Sequence, residues 1–374
     1  MKVLHVYRTY FPDPPGGLQE AIRQIALATR EVGVESRIFA LSPQPSPRQV
    51  HFSEGDVVRS KSWGAPASCD LGGWDAWRRF RSLSRWADVV HFHFPWPFGD
   101  LLRILGNETA PAVMTYHSDI VRQRQLGELY RPLMNRMLRS MSAIVATSPA
   151  YIDSSPVLSV LERPERLHVI PLGITDHADD GAATGAIPRP ARLGLNDTEP
   201  FLLSLGVLRY YKGLHTLVDA APAIRSRIVI AGSGPEMDRL RAQASAVGAS
   251  NIIFAGQVSH EEKIALLKHC TGLLLPSHLR SEAFGMVLVE AAMFGKPMVC
   301  CEIGSGTSFV NQHGVTGFVV PPEAPGPFAE AANALLADSA LARSMGLAAR
   351  ARYEQLFSGP ALGRAYRAIY EQIQ

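Results

Sequence analysis

The chain is poor in cysteine, and the four it has show no pattern. Cys69, Cys270, Cys300 and Cys301 fit neither zinc nor disulfide spacing, and the last three sit in apolar runs. They read as reduced, buried thiols, which predicts a cytoplasmic protein. There is no G-x-G-x-x-G in either half and no G-x-x-x-x-G-K-[ST] anywhere, so a dinucleotide fingerprint and a P-loop are both missing. Apolar runs never approach the roughly 18 residues a membrane helix needs, and MKVLHVYRTYF is too short and too polar to read as a signal peptide. A net charge of +3 is too small to argue for nucleic acid, and no zinc or RNA-binding signature accompanies it.

What is present is alternation. At 374 residues the chain is long enough for two cores. Strand patterns at Lys2 to Tyr7, Glu35 to Leu41, Ala87 to His93, Pro111 to Tyr116 and Ala143 to Thr147 alternate with helical ones at Leu18 to Val32 and Leu129 to Met141. This predicts an α/β fold with a parallel sheet covered on both faces. Residues 175–200, rich in Gly, Ala, Pro and Asp, read as a linker after a first domain over 1–174. A second alternating domain spans 201–357, with strands at Phe201 to Leu205, Arg227 to Ala231, Asn251 to Ala255, Thr271 to Pro276 and Pro297 to Cys301. Two helices then close the chain, the last over 358–374. A cleft between two such domains commonly holds a ligand.

The most informative stretch is SHLRSEAFGMVLVEAAMFGK, from Ser277 to Lys296. It follows a buried strand and carries Glu282 in the loop at the strand's carboxyl end, where ligands of open parallel sheets bind. Phe284-Gly285 turns the chain into an apolar helix interrupted by Glu290. A carboxylate inside such a helix needs a donor, either a ribose hydroxyl pair or a structural arginine. Other candidates sit at strand ends. Gly16-Gly17 opens a helix and suits either a diphosphate or an ordinary loop. Arg209 and Lys212 follow the strand Phe201 to Leu205, where cations could neutralise a departing diphosphate, although Lys212 also fits a surface charge at a helix start. Gly234 lies in a Gly-Ser-Gly-Pro turn. His117 ends the strand VMTY, as a polar rim residue or a site residue, with Asp119 as its expected orienting partner. His91 and His93 share a strand face, but without a third ligand they are poor evidence for zinc. Arginines interleaved with Trp77, Trp86 and leucines (Arg78, Arg79, Arg81 and Arg85; Arg122, Arg124, Arg131, Arg136 and Arg139) suit either a solvated helix face or contact with anionic lipid.

The spacing of Glu282 and Glu290, with seven residues between them, resembles the glutamate pair of the retaining nucleotide-sugar glycosyltransferases of GT-B architecture, family 4. The resemblance runs along almost the whole chain. It implies two Rossmann-like domains facing a cleft, with the last helix crossing back to the first domain. It assigns Glu282 and His117 to the transferred sugar, Glu290 to the ribose, and Gly16, Gly17, Arg209, Lys212, Gly234, Phe284 and Gly285 to the rest of the donor. The family's arginine usually follows the first glycine directly, where this chain has Val207. Its usual later glutamate is replaced by Ser308, in a Gly-Ser-Gly-Thr-Ser variant similar to bacterial enzymes that add mannose or D-rhamnose from GDP-sugars during O-antigen assembly. The implied partners are a nucleotide-sugar, which is a substrate rather than a cofactor, and a lipid-linked saccharide, with peripheral contact at the inner face of the membrane. No Asp-x-Asp occurs, so no metal is expected, and fixed cations and helix ends would take its place. The competing expectations are a UDP-sugar transferase, a nucleotide-sugar epimerase, an NAD-dependent oxidoreductase and a non-catalytic scaffold. The absent dinucleotide fingerprint disfavours the oxidoreductase.

Overall fold

The computed structural model describes residues 1–374 except 14–15, 67–68, 107–109, 121–123, 162, 179–187 and 197. Side chains of 124–126 are likewise outside the description, so Arg122 and the Arg124 side chain cannot be placed, nor can much of the stretch read as a linker. The chain divides into two compact units, Met1–Thr175 with Ser358–Gln374, and Asp176–Phe357.

The first unit holds strands β1 (Lys2–Val6), β2 (Glu35–Ser42), β3 (Gln49–Phe52), β4 (Gly55–Gly64), β5 (Leu71–Gly72), β6 (Val89–Phe94), β7 (Ala112–Tyr116), β8 (Ala143–Ala146) and β9 (Leu167–Val169). Their order is β3-β4-β2-β1-β6-β7-β8-β9, with β5 on β4. Pairing is parallel except where β3 and β5 meet β4. Those two short edge strands have half-exposed residues and lack the apolar run that marks the central strands. The helix Gly17–Arg30 buries Ile22, Ile25, Ala26 and Ala28, and carries Glu20 in its first turn and Arg30 in its last, charges that suit the helix dipole. The helix Gly359–Ile373 packs on it at Gly363, where a Cβ would stand 2.2 Å from the Ala28 carbonyl oxygen. Its Leu362, Tyr366, Ile369 and Tyr370 complete a core with Val3, Val89, Val113 and Val145. Each such aliphatic side chain contributes about 1.5–3 kcal/mol on burial.

The second unit holds β10 (Phe201–Leu205), β11 (Arg227–Ala231), β12 (Ile252–Gly256), β13 (Gly272–Leu275), β14 (Met298–Cys301) and β15 (Gly317–Val320). All pair in parallel, in the order β12-β11-β10-β13-β14-β15. Three helices, not the expected two, follow the last strand: Pro325–Ala337, Ser339–Arg352 and Gly359–Ile373. Asp176 is held within this unit by an ion pair to Arg350 at 2.6 Å. Among the described residues no helix is long and apolar enough to cross a membrane.

Candidate functional site

In the second sheet the chain steps from β10 outward to β11 and β12, then returns to β13 on the other side of β10. Such a reversal opens a crevice at the carboxyl ends of the two central strands. The loop after β10 carries Gly206 to Gly213, and the loop after β13 carries Pro276 to Glu282. Gly213 joins them. It has φ 65°, and a Cβ there would stand 2.0 Å from the Pro276 carbonyl oxygen, so only glycine lets the two loops touch. The amide of His278 donates to the Tyr211 carbonyl at 3.1 Å and fixes the contact.

The consequence is an ion pair between residues far apart in sequence. Lys212 Nζ lies 2.5 Å from Glu282 Oε2, with the side chains 16% and 11% exposed. Ser277 Oγ donates to the same oxygen at 3.3 Å. Burial works against the Lys212 ammonium, but the Glu282 carboxylate more than offsets it, and the lysine's pKa is raised. Gly234 backs this loop: a Cβ there would stand 2.4 Å from the Leu208 carbonyl oxygen, and across the contact the Leu208 amide donates to the Ser233 carbonyl while its own carbonyl accepts from the Glu236 amide. Arg209 is exposed and precedes the turn Tyr210–Lys212, which its side chain does not cap. Val207, in the place of the family's usual arginine, is 53% exposed.

Glu290 sits on the helix Met286–Met293, whose other side chains from Val287 to Met293 are buried. It is not inside the core as the apolar pattern suggests. Its side chain is 24% exposed and accepts from Lys263 Nζ at 2.9 Å. The structural cation is therefore a lysine from the helix His260–His269, and not the arginine expected from the sequence. Gly285, at φ 83°, caps this helix. The Phe284 ring faces inward: it is 4% exposed and packs edge-on against Phe357 with centroids 6.1 Å apart. Phe284 can thus meet a ligand only through its backbone.

Gly16, Gly17 and His117 belong to the first unit. Gly16 is the extended N-cap of the helix Gly17–Arg30, both glycines are exposed, and a Cβ on Gly17 would meet nothing within 4 Å. His117 follows β7 and is buried at 5% exposure. Its orienting partner is not Asp119, whose carboxylate accepts from Tyr116 (2.9 Å) and Ser155 (2.7 Å). The partner is His93, whose Nδ1 lies 3.1 Å from His117 Nε2. His93 Nε2 in turn lies 3.1 Å from Nδ1 of His5, a residue the sequence reading passed over although it interrupts an apolar strand. Register explains the cluster, since His5 pairs opposite His91 and His93 opposite Thr115.

The third histidine that the His-x-His pair lacked in sequence is thus present, and nitrogens of His5, His91 and His93 lie within 4.8 Å of one another. The set does not suit a resident metal. All three are buried, His5 and His93 bond each other, and both His91 nitrogens are engaged by Tyr370 (2.8 Å) and Thr115 (2.7 Å) hydroxyls. Burial pushes His5 and His117 down to about 3. Burial first, then neighbouring imidazoles, hold His91 and His93 well below the usual histidine range.

The two basic stretches both form helices. Trp74–Trp86 buries Ala76, Phe80, Leu83 and Ser84, and its Arg79 pairs with Asp75 at 3.0 Å. Arg124–Arg139 lines a cavity of about 200 Å³ with Arg131, Met134, Leu138 and Arg139, closed on the other side by Val157, Val160, Arg163 and Arg166 among others.

The sequence matches two family descriptions, the glycosyl transferase 4-like domain over residues 16–173 and the glycosyl transferases group 1 over 189–352. It is 44% identical to the D-rhamnosyltransferase WbpZ of Pseudomonas aeruginosa, over 96% of this chain and 92% of that one. It is 38% identical to the O-antigen chain mannosyltransferase C of Escherichia coli, over 100% and 99%. Among solved structures, sucrose-phosphate synthase from Thermosynechococcus elongatus (TM-score 0.79, 21% identity, 99% and 98% covered) shares the fold. So does Anabaena Alr3699/HepE in complex with UDP (TM-score 0.79, 19%, 100% of each chain). With two doubly wound parallel-sheet units and relatives this similar over their full length, the chain belongs to the group 1 glycosyl transferases and is a hexosyltransferase of GT-B architecture.

Proposed function

We propose that this enzyme moves a hexose, mannose or D-rhamnose, from a GDP-sugar to a hydroxyl of a lipid-linked saccharide in O-antigen assembly, with retention of anomeric configuration and without a metal. The observation that carries the reading is the Lys212–Glu282 pair at the β10–β13 reversal. Breaking the bond from the anomeric carbon to the nucleotide leaves negative charge on a diphosphate. Lys212, a largely buried cation, would take that charge, and the exposed Arg209 would supply a second. In this reading Glu282 exchanges its lysine for the sugar's hydroxyls, Glu290 holds the ribose, and His117 contacts the transferred sugar. The acceptor oxygen bonds to the anomeric carbon on the face the nucleotide leaves, and its proton passes to the departing phosphate oxygen.

The names of the two similar proteins support the choice of sugar and pathway, as does the Gly304 to Ser308 variant. For the acceptor's lipid diphosphate, the support is the cavity beside Arg124–Arg139. Arg131, Arg139, Arg163 and Arg166 surround apolar walls from Met134, Leu138, Ile144, Val157, Val160 and Leu161. Anionic head and hydrocarbon tail would each find a match, and the same face would hold the enzyme on anionic lipid.

The test is transfer from GDP-mannose, GDP-D-rhamnose and the UDP-hexoses to a synthetic polyprenyl-diphosphate saccharide in EDTA, with the anomeric coupling of the product read by NMR. Product from a GDP-sugar with the donor's configuration is expected. Transfer only from UDP-sugars, only with added metal, or with inversion would overturn the corresponding part. Interconversion of the sugar without an acceptor would make the enzyme an epimerase.

A further inference from the structure

His117, His93 and His5 form one hydrogen-bonded chain running back from the carboxyl edge of the sheet across β7, β6 and β1. Rings stack along it, with centroids 5.3 Å apart for His93–His117 and 5.4 Å for His5–His93. A neutral imidazole carries one N–H, and each N···N bond must contain one proton. The chain therefore has only two arrangements, and choosing the tautomer of one ring chooses all three.

In the first, His5 Nδ1–H donates to His93 Nε2 and His93 Nδ1–H donates to His117 Nε2. His117 then carries its proton on Nδ1. In the second every bond reverses, His117 presents a bare Nδ1, and the last proton falls on His5 Nε2. That nitrogen is buried and has no protein partner among the described residues. An orphaned buried N–H is rarer and costlier than an unshared lone pair, so the first arrangement is preferred. His91 does not intervene, because its nitrogens are occupied by Tyr370 and Thr115.

We infer that His93 and His5 are positioning residues that fix His117 in its Nδ1–H tautomer, so that His117 serves as a hydrogen-bond donor to a hydroxyl oxygen of the transferred sugar and not as a general base. Taking a proton at Nδ1 would require either a charged ring in the sheet interior or transfer of the far proton onto His5 Nε2, and burial opposes both. The sugar contact rests on the role proposed above for His117; the tautomer does not.

The experiment is long-range 1H–15N correlation of the full chain labelled with 15N-histidine, on wild type and on His93→Leu, His93→Asn and His5→Leu. In wild type the His117 Nδ1 should be pyrrole-like and Nε2 pyridine-like. His93→Leu removes the donor and sets the cost of an orphaned Nε2–H against the Nε2–H preference of free imidazole, so His117 should pass from one tautomer to a mixture, with kcat down about tenfold, the worth of one aligned hydrogen bond, and KM for donor within twofold. His93→Asn places an amide N–H where Nδ1 stood and should restore both tautomer and rate. His5→Leu leaves His93 Nε2 facing leucine, where an N–H would be orphaned in its turn, so His117 should keep its Nδ1–H form, which separates loss of packing behind the chain from loss of the His93 donor. An Nε2–H His117 in wild type, an unchanged tautomer in His93→Leu, or one equivalent of zinc released on denaturation would overturn the inference. The predicted tautomers with full activity in His117→Ala would instead overturn the sugar contact while leaving the relay intact.

Discussion

Glu282→Gln and Lys212→Met should separate the two halves of the ion pair by the sign of their effects. Glu282 occupies Lys212 at 2.5 Å, so a diphosphate that reaches the ammonium must compete for it. Glutamine keeps the shape and removes the competing charge. GDP affinity of Glu282→Gln should therefore be unchanged or tighter, while turnover falls by about 10²–10³, the usual worth of one group aimed at the transition state. Lys212→Met removes the cation itself. A hydrogen bond to a charged group contributes about 1.5–3 kcal/mol, so GDP should bind about 10–150-fold more weakly, with turnover lost as well. Met also leaves the Glu282 carboxylate with only the Ser277 hydroxyl, and the partial exposure of the pair puts that destabilisation on the order of 1–3 kcal/mol rather than the larger cost of a fully buried break. Calorimetric GDP titration and steady-state transfer on folded variants, with thermal melts as the control, read all four numbers. Weakened GDP binding in Glu282→Gln, or wild-type turnover in either variant, would refute the reasoning.

Other expectations follow from the same geometry. Glu290→Ala should weaken GDP binding about tenfold with smaller loss against a 2′,3′-dideoxy analogue; equal losses against both would assign Glu290 to Lys263 alone. Gly17→Ala adds a methyl that meets no protein atom, so thermal stability should hold while donor KM rises; unchanged KM would free this turn of any ligand role. The buried histidines make folding acid-sensitive. His5 and His117 fall from 6.5 unfolded to about 3 folded, so their stabilisation is present above pH 6.5 and lost as pH drops toward 3. Each should cost about 1.4 kcal/mol between pH 7.5 and 5.5, and His91 and His93 act in the same direction; a urea midpoint flat over that range would contradict it. Arg163→Glu with Val160→Asp should lower cosedimentation with anionic vesicles without changing GDP affinity, and undiminished cosedimentation would remove this cavity from the membrane face.

The residues at strand ends were legible because a loop after a short apolar run marks its own place in a parallel sheet. Lys212, Glu282 and His117 all announce themselves in this way. What joins them was not. The Lys212–Glu282 bond depends on β10 lying beside β13, a neighbour relation that no local pattern encodes. His5 meets His93 only through the β1–β6 register, so an isolated strand histidine gave no sign of belonging to a chain of three. Asp119 looked like the partner of His117 because it is close in sequence, yet the strand end directs its carboxylate to Tyr116 and Ser155. Glu290 seemed buried because its helix is apolar on most sides, but one side is open to Lys263. The edge strands β3 and β5 escaped notice since half-exposed, short strands lack a continuous apolar run.

The most direct measurement is a calorimetric titration of the wild-type enzyme with GDP and with UDP in EDTA, repeated on Lys212→Met. Metal-free binding that prefers GDP and weakens at least tenfold in the variant is predicted. Binding that appears only with a divalent cation, favours UDP, or ignores the loss of Lys212 would contradict a GDP-sugar site built on that lysine.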